Sequence, residues 1–210
     1  RSYTQAQRMD EGDLFRGISG NIVFPGFTAP KVSWVEENEP ENFKKIASIL
    51  LPKDYLRFWL TGDLVSEMSD AAGTSWLDLE NRCWSEKLLT ASNLNLQQMP
   101  TLIEGSEVGG LLKHQLKNQW NIAGNVSVVG GAGDNAAAAC GCGVMSEGQG
   151  FISLGTSGVL LAARDGCFPS PETAVHTFCH AVPDKWYQMG VILAATDSLN
   201  WLSRISGKTP

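Results

Sequence analysis

The chain has 210 residues, 43% of them hydrophobic and 18% charged, with a formal net charge of −6. That composition excludes a disordered or fibrous chain and supplies a buried core for one or two domains. The acidic balance leaves no basic stripe to displace counterions from phosphates, so a nucleic-acid partner is not expected, and no apolar run approaches the ~20 residues a bilayer span needs, so no membrane partner is expected either.

The opening stretch, RSYTQAQRMDEGDLFRG, lacks the apolar core of a secretory signal, and a cytoplasmic location is expected. The first half reads as mostly helical. Residues 30–37 (PKVSWVEE) lead into a predicted helix over 40–51, where Phe43, Ile46, Ala47 and Leu50 recur at helical spacing. A short helix over 53–60 follows, with Gly62 placed to cap it. After the polar patch SEMSDAAGTSWLDL at 66–79, helices are predicted over 85–90 and 111–120.

The second half changes character. Residues 126–129 (VSVV) form a short β-branched strand, 130–133 a glycine loop, and the alanines from Asn135 favour helix. Two strands, 151–154 and 159–163, flank the turn Gly155, Thr156, Ser157 and Gly158. A strand over 186–193 and a helix over 197–205, closed by Gly207, complete an α/β half. A domain boundary is expected near Asn125, dividing the chain into 1–125 and 126–210.

The five cysteines, Cys83, Cys140, Cys142, Cys167 and Cys179, form no framework with metal-site spacing, and their odd number suits reduced thiols. Cys140 and Cys142 are expected to be small buried packing residues. His176 and His180 lie four apart without acidic or cysteine partners in regular spacing, so they read as structural and no metal site is assigned.

Chemistry concentrates in GGAGDN, residues 130–135. Asp134 follows a strand and a glycine loop and takes the expected N-cap of the next helix, where unpaired amides and the helix dipole favour a negative charge. Glycines let a ligand approach the backbone. Asn135 sets an amide donor beside the carboxylate, a pair suited to a polyhydroxy substrate, although aspartate is also a common plain cap. Gly131, Gly133 and Ala136 match a GxGxxA dinucleotide fingerprint, but Asp134 would face the pyrophosphate and no acidic residue ends the next strand to take a ribose hydroxyl. The turn Gly155, Thr156, Ser157 and Gly158 offers backbone amides and two hydroxyls to phosphate oxygens.

With these stretches in place, the sequence resembles the FGGY family of carbohydrate kinases. GFTAPKVSWVEEN at 26–38 follows that family's first signature, with Thr28, Lys31, Trp34 and Asn38 in register. LLPKDYLRFWLTG at 50–62, SDAAGT at 69–74, GGAGDNAAAACGCG and FISLGTSG agree in order, and SDAAGTSWLDL is similar to the xylulose branch. The resemblance implies an α/β, actin-like ATPase (ribonuclease H-like) fold and part of a two-domain kinase. Residues 1–125 would be the C-terminal part of the sugar-binding domain and 126–210 the N-terminal part of the nucleotide-binding domain.

By that resemblance Asp134 is the general base for phosphorylation of a sugar hydroxyl by ATP, D-xylulose being the favoured acceptor. Asn135 and Asp134 bind the sugar, and Gly155, Thr156, Ser157 and Gly158 contact phosphate, Thr156 nearest the transferred group. ATP and Mg²⁺ are the implied cofactors, with both sites only partly present, and a homodimer is a further expectation. Family members run to more than twice this length and open with a first phosphate loop not found here. The chain is therefore expected to be a central fragment, inactive alone, with uncovered strand edges and apolar faces. A kinase for another pentulose or gluconate, a non-catalytic sugar- or partner-binding relative, and an actin-type ATPase remain as alternatives.

Overall fold

The computed structural model describes residues 1–209. Helices α1 (Tyr3–Asp10), α2 (Asp13–Ser19) and α3 (Thr28–Asn38) open the chain, and α3 is the segment that carries the 26–38 signature. Pro30 lies in its first turn, where a missing amide costs no intrahelical bond, and is buried with Ala29. The helix predicted over 40–51 is much shorter: α4 ends at Phe43 (Pro40–Phe43). Two causes are visible. Leu51 precedes Pro52, which excludes it from the helical region, and it is extended at φ −72° and ψ 159°. Upstream, the Ile49 amide donates to the Gln98 carbonyl at 2.9 Å while the Gln98 side chain returns a bond to the Ile46 carbonyl. Tertiary pairing thus overrides local periodicity.

Helix α5 (Pro52–Thr61) stops as expected, Gly62 adopting φ 91° and donating its amide to the Phe58 carbonyl at 2.7 Å. The polar patch that follows is structured: β1 (Val65–Glu67), α6 (Met68–Ala71), a 3₁₀ turn, and β2 (Leu77–Asp78), which pairs with β3 (Cys83–Trp84). Then come α7 (Glu86–Thr90), capped by Ser85, β4 (Thr101–Ile103), β5 (Val108–Leu111) and α8 (His114–Gln119). Strands β1 and β4 run parallel. The helix expected from 111 begins three residues later because Leu111 belongs to β5, antiparallel to β6 (Ser127–Val129).

The remainder is α9 (Asp134–Gly141), β7 (Gly150–Leu154), β8 (Gly158–Arg164), β9 (His176–Cys179), β10 (Trp186–Ile192) and α10 (Thr196–Ser206). Strands β7, β8, β10 and β9 form, in that order, an antiparallel sheet. The hairpin and β10 fall where the sequence places them, but β9 was not predicted. Its two inner residues Thr177 and Phe178 and the following Cys179 and His180 are all buried, so no polar-apolar alternation marks it.

Two cores result. One packs Ala6, Phe15, Trp76, Leu88 and Leu89 among α1, α2, α3 and α7, and the Trp76 indole donates to Ser92 Oγ at 2.9 Å. The other joins α6 and α9 to the sheet through Ala71, Ala136, Ala139, Leu161 and Phe178. Alanines at 136 and 139, both 0% exposed, let α9 lie close to its neighbours. The expected boundary at 125 falls in the loop between α8 and β6, and Asn21 bridges the two halves through paired bonds with the Thr177 backbone at 2.8 and 2.9 Å.

One face of the sheet is open, with Ile152, Leu154, Leu160 and Ile192 exposed, and no residue of α10 is buried. No helix among the described residues is long and apolar enough to cross a membrane.

Candidate functional site

The site is built on the four residues between β6 and α9. Gly131, at φ 76°, turns the chain, and Gly133 at φ −60° and ψ 153° is the N-cap of α9. Asp134, expected at the cap, is instead the first helical residue, and Gly133 takes the cap position without a side-chain bond. The Asp134 carboxylate keeps the favourable end of the dipole. Asp134 is exposed, and its Oδ1 accepts the Asn135 backbone amide at 2.7 Å and the Asn135 side-chain amide at 3.0 Å. Those two bonds orient the carboxylate, and its second oxygen makes no hydrogen bond among the described residues.

The glycines do a different job from the one expected. A Cβ on Gly130 would meet the Glu104 carbonyl at 2.5 Å, and one on Gly105 would meet the Gly131 carbonyl at 2.5 Å. The loop is therefore small because it packs against the backbone after β4, not because a ligand must enter it there.

Beside the loop lies a group of charges that the sequence analysis did not single out. Lys53, at the start of α5, contacts Asp54 at 2.7 Å, Glu67 at 3.4 Å and Asp70 at 3.7 Å. Asp54 and Glu67 are fully buried, and Arg57 pairs with Asp54 at 3.2 Å. The Asp70 carboxyl is pushed up to about 6, first by burial and then by the charges of Glu67, Asp54 and Asp134, against the pull of Lys53. Lys53, Asp54 and Arg57 lie in LLPKDYLRFWLTG, Asp70 in SDAAGT and Glu67 just before it. Spacing within either does not disclose that α5 and α6 meet under the glycine loop.

The turn at 155–158 is a tight hairpin between β7 and β8. Its Gly155 carbonyl accepts from the Thr196 amide and hydroxyl, and its Thr156 carbonyl from the Ala195 amide at 2.7 Å, so the start of α10 braces it. The Ser157 hydroxyl donates to the Leu193 carbonyl at 2.9 Å, whereas Thr156 stands exposed at the tip. Of the two hydroxyls, Thr156 is the one left to donate to a ligand. No hydrogen bond among the described residues joins this hairpin to Asp134 or Asn135.

His180 and His176 are structural. His180 is buried, bonded to the Val144 carbonyl and the Val182 amide, and His176 stacks on Phe178 at 5.4 Å. Burial holds both below the usual histidine range. Cys140 is half-buried, but Cys142 is exposed, contrary to its expected packing role, because α9 ends at Gly141.

The fold places the chain in a class, the actin-like ATPase fold of the sugar kinases. The structure of a "xyloylose kinase" from Brucella ovis is similar over 100% of this chain and 43% of that one, at a TM-score of 0.97 and 57% identity. A xylulose kinase from Rhodospirillum rubrum, at a TM-score of 0.88 and 23% identity over 97% of this chain and 41% of that one, is a likeness of fold. Residues 1–141 match the N-terminal domain of the FGGY family of carbohydrate kinases, and the chain belongs to that family. It is also similar to the xylulose kinase of Escherichia coli K12, with 50% identity over 192 residues, 91% of this chain and 40% of that protein. The chain spans about 40% of the length of the curated relatives it matches.

Proposed function

We propose that the enzyme carrying this chain transfers the terminal phosphoryl group of ATP to a hydroxyl of D-xylulose, giving D-xylulose 5-phosphate. The observation that supports it most is the exposed Asp134 carboxylate at the head of α9, oriented through Oδ1 by both amides of Asn135. The relatives named as xylulose kinases favour the substrate.

In this reading Asp134 accepts the proton of the sugar hydroxyl as that oxygen bonds to phosphorus and the bond from phosphorus to ADP breaks. Asn135 orients the carboxylate and hydrogen-bonds a neighbouring sugar hydroxyl. Phosphoryl transfer has a loose transition state, so a well-placed carboxylate assists without being a strong base. Kinases of this family use ATP, which supplies the phosphoryl group, with Mg²⁺ offsetting phosphate charge. The exposed Thr156 hydroxyl fits a phosphate-contacting role at the tip of the braced turn Gly155, Thr156, Ser157 and Gly158; the Gly155 amide is taken by the Ser157 carbonyl and Gly158 is buried, so Thr156 carries that role. Among the described residues no three His, Cys, Asp or Glu side chains are arranged to hold a metal, so no Mg²⁺ ligand is assigned to this chain. Five free cysteines accord with a cytoplasmic location.

Sugar-dependent ADP release by the whole enzyme, offered D-xylulose, D-ribulose, D-gluconate and glycerol, tests the reading. Preference for D-xylulose is expected. Preference for another sugar corrects the substrate, and no turnover with any sugar removes the kinase assignment.

A further inference from the structure

The residues that hold Asp134 in place lie far from it in sequence. Four hydrogen bonds tie three positions of the loop, 130, 131 and 133, to the region between residues 57 and 107. The Gly130 amide donates to the Glu107 carbonyl and the Gly131 amide to the Gly105 carbonyl, both at 2.9 Å. Arg57 Nη2 donates to the Gly130 carbonyl, and the Gly133 amide donates to Ser69 Oγ at 2.9 Å. The first two bonds join backbone to backbone, where Gly105 and Gly130 let the segments approach. The last two depend on side chains.

Each of those side chains is itself fixed. Arg57 is 3% exposed, donates through Nη1 to the Val65 carbonyl of β1 at 2.7 Å, and faces Asp54, which also takes Ser66 Oγ at 2.6 Å. Ser69 is also 3% exposed and donates its hydroxyl to Glu67 Oε2 at 2.8 Å. Glu67 in turn accepts the Ser69 and Asp70 amides at the start of α6. A buried charge network of this kind adds little net stability over apolar packing. Its geometric result is specific: Arg57 and Ser69 grip the two ends of the glycine loop, and Ser69 holds the amide immediately before Asp134.

We propose that Arg57 and Ser69 are positioning residues for Asp134, fixing the loop that presents the base to the sugar hydroxyl. The proposal rests on the kinase reading above. Neither side chain touches Asp134, so loosening either should spoil alignment at the reacting centre while leaving sugar contacts largely intact. Arg57→Lys keeps a positive charge for Asp54 but cannot span two carbonyls, and Ser69→Ala deletes one acceptor with little change in volume.

The test compares the whole enzyme with its Ser69→Ala and Arg57→Lys variants in two measurements. Hydrogen exchange of peptides covering 130–137 should be about tenfold faster in both variants, the scale of one lost hydrogen bond. Turnover should fall about tenfold or more while the sugar KM stays within about twofold. Unchanged exchange overturns the clamp. Faster exchange with wild-type kcat, or a loss confined to KM, overturns the positioning role alone. A wild type that turns over no sugar overturns the kinase reading and this role with it, and that outcome is recognised without any variant.

Discussion

Oδ1 of Asp134 accepts both amides of Asn135, backbone at 2.7 Å and side chain at 3.0 Å. One neighbour thereby fixes the rotation of the carboxylate, and the free oxygen becomes the one available to a substrate proton. Replacing a side chain in this position with an isostere separates orientation from basicity.

Asp134→Asn keeps the volume and an oxygen that can accept the Asn135 amide, but it cannot take a proton from an alcohol. Turnover in the whole enzyme should fall by ~10² to 10⁴, with sugar affinity close to wild type. Steady-state ADP release and direct sugar binding check the two halves separately. Wild-type turnover in the variant would remove Asp134 from the chemistry.

Much of this site was legible from the sequence, for reasons that differ by element. The strand, glycine loop and alanine helix around Asp134 announce themselves through composition, because alanine runs and β-branched pairs bias the backbone strongly. The hairpin at 155–158 is equally local. What escaped was non-local: the early end of α4 depends on Gln98, the buried strand β9 has no alternation to reveal it, and the Lys53, Asp54, Arg57, Glu67 and Ser69 network exists only once α5 and α6 are folded under the loop. Gly130 was legible as a glycine position but not for its reason, since a close backbone approach inside the protein and one by a ligand demand the same residue.

Gly130→Ala tests that reassignment. The added methyl would lie 2.5 Å from the Glu104 carbonyl and 3.0 Å from the Gly105 Cα, both backbone atoms that can only move with their strand. A loss of about 1–3 kcal/mol in unfolding free energy is expected. Gly141→Ala, at the end of α9 with nothing within 4 Å of the new methyl, is the control and should be neutral or slightly stabilising. Equal denaturation midpoints for the two variants would show that the loop tolerates the methyl.

The open face of the sheet gives a prediction about the 210-residue chain by itself. Ile152 is 67% exposed, Leu154 69% and Ile192 64%, on one face of the sheet across β7, β8 and β10 with exposed Leu160 between them, and Leu199, Trp201 and Leu202 of α10 are exposed as well. A contiguous apolar surface of this kind associates in water. Sedimentation of the isolated chain should therefore reveal concentration-dependent oligomers, and Ile152→Lys with Ile192→Lys should reduce them. A clean monomer across the concentration range would contradict this.

Asp70 makes the stability of the site depend on pH. Its carboxyl ordinarily titrates near 3.8 and is raised to about 6 in the fold, burial being the largest cause and the neighbouring Glu67, Asp54 and Asp134 adding to it. Across the interval between those values the folded chain holds a proton that the unfolded chain has released. Stability from this group is therefore full below pH about 4, declines as pH rises towards about 6, and is level above that. Asp70→Asn removes the titration while keeping the shape. The variant should match wild type at pH about 4 and exceed it in melting temperature at pH about 8, where wild type must hold a half-buried negative charge beside other carboxylates. Lys53 lies 3.7 Å away and opposes the effect, so a double variant with Lys53→Met should enlarge the pH dependence contributed by Asp70. Thermal melts over that pH range decide the matter: an Asp70→Asn variant that gains nothing at high pH would mean that Lys53 already neutralises the carboxylate in full.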